Sequence, residues 1–247
     1  DGTQPVISEY IAYDQLNPPN PFLAVTQDGR GNVVYDGGFP KFYNSRAPGP
    51  EVTSFEELNG EFKFLYNAIK FCARTPLTSG RQKILVIGDG TANSYNVKQT
   101  NSNGFRTSFE RIAEIVDFDL VIKNKEDWGT IIDVRLSELM LYDLIIIMSS
   151  ASGLPSGHPT HITPASVNDI LTYRERGGGL IVITDHGKNC EDIDDARVYT
   201  SGSFFNMGNQ IITNFGAYFT GDFNRSPVNV GYIRNTFGDH PLLNNLD

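Results

Sequence analysis

Leu144-Ile145-Ile146-Ile147-Met148 and Leu180-Ile181-Val182-Ile183-Thr184, with the segment between them, decide the fold. Each is a short aliphatic run bounded by turn residues, which is how a strand buried on both faces reads. Between them, Thr163 is placed to cap a helix and Pro164 to occupy its first position, where a missing N–H costs nothing. Val167, Ile170 and Leu171 supply that helix's apolar side, and Gly177-Gly178-Gly179 stops it. Strand, helix, strand in this spacing is a parallel pair joined by a right-handed crossover. The same pattern extends upstream. Lys83-Ile84-Leu85-Val86-Ile87 reads as a buried strand. Thr107 with Glu110 reads as a capping box, opening a helix with Phe109, Ile112, Ala113 and Val116 on its apolar stripe. Leu120-Val121-Ile122 is a second strand, and Ser137 to Leu141 a short helix leading into Leu144. Residues 81–247 are therefore predicted to form an α/β domain with a doubly wound, mainly parallel, flavodoxin-like sheet.

Residues 1–80 read as an amino-terminal, β-containing extension. Asn17-Pro18-Pro19-Asn20-Pro21 excludes helix. Phe22-Leu23-Ala24-Val25-Thr26 and Asn32-Val33-Val34-Tyr35 flank Asp28-Gly29, a hairpin signal. Ser54 with Glu57 reads as a capping box for a helix carrying Phe55, Leu58, Phe62, Leu65, Ile69 and Cys72 on one face, ended by Pro76. The aromatic, Gly/Pro-rich stretch from Tyr35 to Tyr43 reads as an arm, and the extension is expected to wrap its own domain or a neighbouring subunit.

Composition removes several classes. The chain has 247 residues and a formal charge of −9, with no basic patch, so nucleic-acid backbones and anionic membrane surfaces are disfavoured as partners. No apolar run approaches the ~20 residues of a membrane-spanning helix, so a soluble protein without membrane insertion is expected. Two cysteines make no disulfide framework. Gly, Pro, Asn, Ser and Thr exceed a third of the chain, which predicts long polar loops, while 11 Tyr and 16 Phe argue against disorder. The chain opens at Asp1 and closes at Asn244-Asn245-Leu246-Asp247. We read it as a processed or excised part of something longer.

Several segments, in order, resemble the class I glutamine amidotransferase-like superfamily over about the last two thirds of the chain. They are Tyr142-Asp143 running into an Ile-rich strand, the helix end Tyr173-Arg174-Glu175-Arg176-Gly177-Gly178-Gly179-Leu180, and Asn209 to Gly216. The last is Phe237-Gly238-Asp239-His240-Pro241-Leu242-Leu243, similar to the His-Pro segment of its non-amidotransferase branches. The resemblance implies a nucleophilic cysteine on a sharp turn after the fourth strand. Here that strand runs into Thr184-Asp185-His186-Gly187, and the Cys-His-Glu triad is not carried over. Cys190 follows later among Glu191, Asp192, Asp194 and Asp195, a setting that raises a thiol pKa. Cys72 reads as core. The chain thus looks like a non-catalytic branch.

Parallel α/β sheets bind ligands at the carboxyl ends of strands, where the strand order reverses. The loops predicted there begin Asp89-Gly90-Thr91-Ala92-Asn93-Ser94 and Ser149-Ser150-Ala151, with Asp185-His186 alongside. If the protein is an enzyme, Asp89, Asp185 and His186 are the candidate catalytic residues, a histidine beside a carboxylate being an oriented general base. If it is a carbohydrate- or small-ligand-binding module, Thr91, Asn93, Tyr95, Ser149, Ser150, His158 and His161 are the candidates, with Tyr95 stacking on a ring. Gly88-Asp89-Gly90-Thr91 resembles the opening block of SGNH hydrolases, but glycine holds the serine position and the terminal Asp239-His240 lacks the required spacing. No G-x-S-x-G elbow, P-loop or complete dinucleotide fingerprint is present. Pro159 between His158 and His161 denies them helical spacing. The acidic run from Glu191 lacks the Gly and Glu of an EF-hand loop. No metal or cofactor is expected. Trp128 reads as a core or edge anchor.

These residues favour a non-enzymatic structural or interaction protein whose partners are other protein subunits. The Asn-, Gly-, Thr- and Tyr-rich, Lys-poor composition is similar to that of tailed-phage virion proteins, which implies a virion or extracellular assembly. A hydrolase-type enzyme and a sugar-binding module are the alternatives.

Overall fold

The computed structural model describes residues 9–13, 21–27, 30–37, 48–74, 80–90, 96–98, 105–151, 157–184, 204–219 and 240–243. Among the described residues, seven strands form one mixed sheet: β1 (Glu9–Tyr13), β2 (Pro21–Thr26), β3 (Val33–Asp36), β4 (Lys83–Gly88), β5 (Asp119–Asn124), β6 (Leu144–Ser149) and β7 (Gly179–Thr184). Their spatial order is β1-β2-β3-β7-β6-β4-β5. From β3 to β5 every neighbouring pair is parallel, and the β1, β2, β3 pairs are antiparallel. The predicted α/β flavodoxin-like sheet is present: the order β5-β4-β6-β7 reverses direction between β4 and β6.

Strand alternation sorts the core into two layers. Ile84, Val86, Leu144, Ile146, Ile181 and Ile183 face one side, packed under α1 (Gly60–Cys72) and α2 (Phe105–Val116). Leu85, Ile87, Ile145, Ile147, Leu180 and Val182 face the other. That side is closed by α3 (Leu136–Leu139), α4 (Pro164–Glu175) and α5 (Asn206–Ile212). Period-two strands with both faces apolar need a helical layer on each side, and the described sequence supplies both.

The amino-terminal hairpin is part of this sheet. β3 pairs in parallel with β7, Val33 opposite Leu180 through Asp36 opposite Ile183. Val34 joins one core layer, and Val33 and Tyr35 the other. The dock is tight at the start of β3. Gly31 donates its N–H to the Arg174 carbonyl at 3.0 Å, and Arg174 Nε donates to the Gly31 carbonyl at 2.8 Å. A Cβ on Gly31 would stand 1.8 Å from the Gly178 oxygen. The glycine run that stops α4 therefore does more than end a helix. Gly177 takes φ +89°, and a Cβ on Gly179 would meet the Cys72 carbonyl oxygen at 2.0 Å. Asp143, before β6, ties the same end of the sheet by accepting from the Lys83 amide at 2.9 Å, 3.6 Å from Arg74 Nε.

Two predicted helix starts differ. Asn59, not Ser54, caps α1, its side chain accepting from the Phe62 amide at 3.3 Å. The Glu57 carboxylate instead accepts from the Thr53 and Ser54 amides at 2.7 and 3.2 Å, closing a turn ahead of the helix. Those local bonds satisfy the Ser/Glu pair without a helix, and Phe55 and Leu58 pack from that turn. Thr107 lies inside α2, and Glu110 pairs with Arg106 at 2.6 Å one turn back. The Thr163 cap is as read, accepting from the Ser166 amide at 3.1 Å with Pro164 following. Residues 209–216 form the end of α5, a 3₁₀ turn over Thr213–Phe215, and Gly216 at φ +71°, with no strand following through Phe219.

Candidate functional site

The reversal of strand order places the ends of β4 and β6 side by side, so the residues after Gly88 and Met148 meet. Asp89, the first residue past β4, is fully buried. Its Oδ1 accepts from the Ser150 and Ala151 amides at 2.7 and 3.0 Å. Its Oδ2 lies 3.5 Å from Nδ1 of His161, which is also fully buried. His161 reaches this position because the chain ahead of α4 pairs with the segment ahead of α3: Ile132 donates to the His161 carbonyl at 3.0 Å, and Thr163 donates to the Ile132 carbonyl at 2.9 Å. Two connections, the one after β4 and both ends of the one from β6 to α4, are thereby tied at one buried carboxylate.

Burial raises the Asp89 pKa above the ordinary carboxylate range, because a charge there has lost its water. The nearby His161, the Ser150 amide, Lys125 and the Ala151 amide oppose that rise. Such a pair is well made for holding loops. A general base must reach the proton it takes, and both side chains are shut away from solvent.

The neighbouring polar groups are engaged in the same way. Ser149 Oγ donates to the Phe204 carbonyl at 2.8 Å, fastening β6 to the turn before α5. Asn124, at the end of β5 and fully buried, donates from Nδ2 to the Gly90 carbonyl at 2.8 Å. Its own amide donates to Asp127 Oδ2 at 2.8 Å. Sequence reasoning passed over Asn124. The available signal was an Asn ending an aliphatic strand with Asp three residues later, a capping arrangement.

Of the sequence-derived candidates, the structure brings together Asp89, Ser149, Ser150 and His161. His158 stands apart in a half-buried turn, its Nε2 3.4 Å from Thr130 Oγ1, so the two histidines do not share a ligand geometry. Thr91, Asn93, Tyr95, Asp185, His186 and Cys190 lie outside the described residues, as do the acidic run after Cys190 and the arm from Gly38 to Tyr43. Among the described residues, no group of three or more His, Cys, Asp or Glu side chains is placed to hold a metal ion, and no helix is long and apolar enough to cross a membrane. Trp128 sits in the 3₁₀ turn after β5, half-buried, with Lys123 Nζ 5.3 Å from its ring centre. Cys72 is buried, and burial pushes its thiol far up.

His240 lies at the opposite end of the sheet from Asp89. It borders a cleft lined by Glu9, Gln27, Asn32 and Asn67, beside the start of β3. Its ring packs 5.2 Å from that of Phe71, and burial lowers its pKa. Leu242 fills the core beneath α1, and its carbonyl accepts from Asn67 Nδ2 at 3.2 Å. The His-Pro segment thus closes one core layer at the amino-terminal edge of the parallel strands. No protein-family model matches the chain, and no curated protein or solved structure shows significant similarity to it.

Proposed function

We propose that the protein is a non-enzymatic structural or interaction subunit of a multi-subunit assembly. In this reading it is built on an amidotransferase-like framework in which the strand-end polar groups serve as internal ties. The observation that carries this reading is the fate of the crevice between β4 and β6. Where an enzyme of this architecture presents its reacting groups, Asp89 is fully buried, spends one oxygen on two backbone amides and turns the other to a buried histidine. Integration of the amino-terminal hairpin into the sheet supports the same reading, since it builds a broad, rigid scaffold. The Asn-, Gly-, Thr- and Tyr-rich, Lys-poor composition supports a place in a virion, such as a phage tail or baseplate.

The test is the mass of the native particle from the natural source, by light scattering, with its composition by mass spectrometry. An assembly containing this chain in stoichiometric copies supports the proposal, and a free 27.4 kDa monomer overturns it.

A further inference from the structure

We infer that the open edge of the sheet at β5 is a self-pairing surface, on which a second copy of this chain adds its own β5 antiparallel across a two-fold axis through Val121. The inference rests on the assembly reading above and names a partner for it.

Among the described residues β5 ends the sheet, with β4 as its one strand neighbour. The Asp119 amide donates to the Gln82 carbonyl at 2.8 Å, in the register that sets Asp119 opposite Lys83. In a strand, N–H and C=O groups of alternate residues point to opposite sides. Asp119, Val121 and Lys123 therefore bond toward β4, and Leu120 and Ile122 present theirs outward. The outward run stops at Asn124, whose amide is taken by Asp127. Two residues one apart, both bonding outward, are what an antiparallel two-fold needs. Leu120 and the partner's Ile122 would exchange both N–H···O bonds, and symmetry repeats the exchange.

The side chains fit that register. Val121 falls on the axis in a non-hydrogen-bonded pair, the closer kind, with Cα atoms ~4.5 Å apart. It is 38 % exposed and, among the described residues, one of the few large apolar side chains left in solvent. On the same face, two residues to either side, stand Asp119, 3.6 Å from Arg81 Nε, and Lys123, paired with Glu138 of its own chain, so that each partner charge would extend an existing ion pair. The two-fold sets Asp119 opposite the partner's Lys123, and Lys123 opposite the partner's Asp119. Opposite charges in cross-strand pairs stabilise, and like charges destabilise. On the other face, Leu120 and Ile122 border an open groove of about 790 Å³ beside α2, where Ala113 and Phe118 lie among Arg81, Lys98, Arg106, Glu110 and Glu114. That groove would take the partner's Leu120 and Ile122. A slip of one residue would turn every side chain to the wrong face. The contact is isologous and closes at two copies.

Charge exchange tests this on the purified chain. Asp119→Lys places lysine opposite the partner's Lys123, and Lys123→Asp places two aspartates together. Each variant alone should raise the dimer dissociation constant about tenfold or more. An equimolar mixture of the two restores complementary charges at both positions and should re-form a dimer of wild-type strength, which misfolded chains would not do. In a Cys190→Ser background, Val121→Cys should oxidise to a covalent dimer, because Cα atoms ~4.5 Å apart lie within disulfide reach. Leu141→Cys, at a site 65 % exposed, should not. A wild-type chain that stays monomeric in sedimentation overturns the inference. An assembly that withstands Asp119→Lys, with Val121→Cys crosslinking no more than Leu141→Cys, also overturns it, while leaving the broader assembly reading in place.

Discussion

Replacing Asp89 with alanine removes the acceptor for two buried backbone amides, those of Ser150 and Ala151. An orphaned buried donor costs ~1–3 kcal/mol, so the two together set a range of about 2–6 kcal/mol. Partial relaxation of the β6 connection, or a water drawn into the space, places the expected loss near the lower half, about 3 kcal/mol. For a domain of this size that lowers the melting temperature by about 6–12 °C. Asp89→Asn has a different outcome. Its amide oxygen still accepts from both backbone N–H groups, and its NH₂ can donate toward His161, so its loss should stay within about 1 kcal/mol. Thermal and urea denaturation of the two variants beside wild type measures the contrast. If Asp89→Ala matched wild type, or if Asp89→Asn fell as far as Asp89→Ala, the carboxylate would not be acting as a neutral-tolerant tie and the reasoning would fail.

The pH dependence follows from the same residue. Burial holds the native Asp89 pKa above its unfolded value of about 3.9, so between the two values the native state keeps a proton that the unfolded chain has released. The contribution to stability is fully present below the unfolded value and is lost as pH rises through the native one, at up to about 1.4 kcal/mol per pH unit. The wild-type minus Asp89→Asn difference in unfolding free energy, measured in steps upward from acid, should show that decline, and a flat difference would contradict it. Gly179→Ala forces a Cβ to within 2.0 Å of the Cys72 carbonyl, and the backbone shift this demands should cost about 1–3 kcal/mol by urea titration. Cys72 is buried with its thiol pKa pushed far up. In a Cys190→Ser background, its labelling by a thiol reagent should therefore track unfolding, and fast labelling of the native protein would contradict its placement.

Long aliphatic runs made the parallel strands easy to read, because a strand with helices on both faces has no polar alternation to confuse the pattern. Thr163-Pro164 located its helix for the same reason: cap and first-turn chemistry are local. The Ser54–Glu57 and Thr107–Glu110 pairs show the limit of local signals. A Ser or Thr followed by Glu can close a free turn or lie within a helix, and only packing chooses. Non-local events were invisible. Nothing in Val33-Val34-Tyr35 names β7 as its neighbour, and nothing near Gly31 announces that Arg174 from α4 will meet it. At the candidate site, strand order foretold that the loops after β4 and β6 would meet, which singled out Asp89, Ser149 and Ser150. Whether Asp89 would face solvent or His161 depended on the bridge between Ile132 and Ile162, a contact across 30 residues of chain that residue types do not encode.

The most direct test of the account is the native mass of the particle that carries this chain, by light scattering on material from its natural source. The account predicts an assembly holding the chain in stoichiometric copies, with pairs joined through β5. A clean monomer of 27.4 kDa would contradict it.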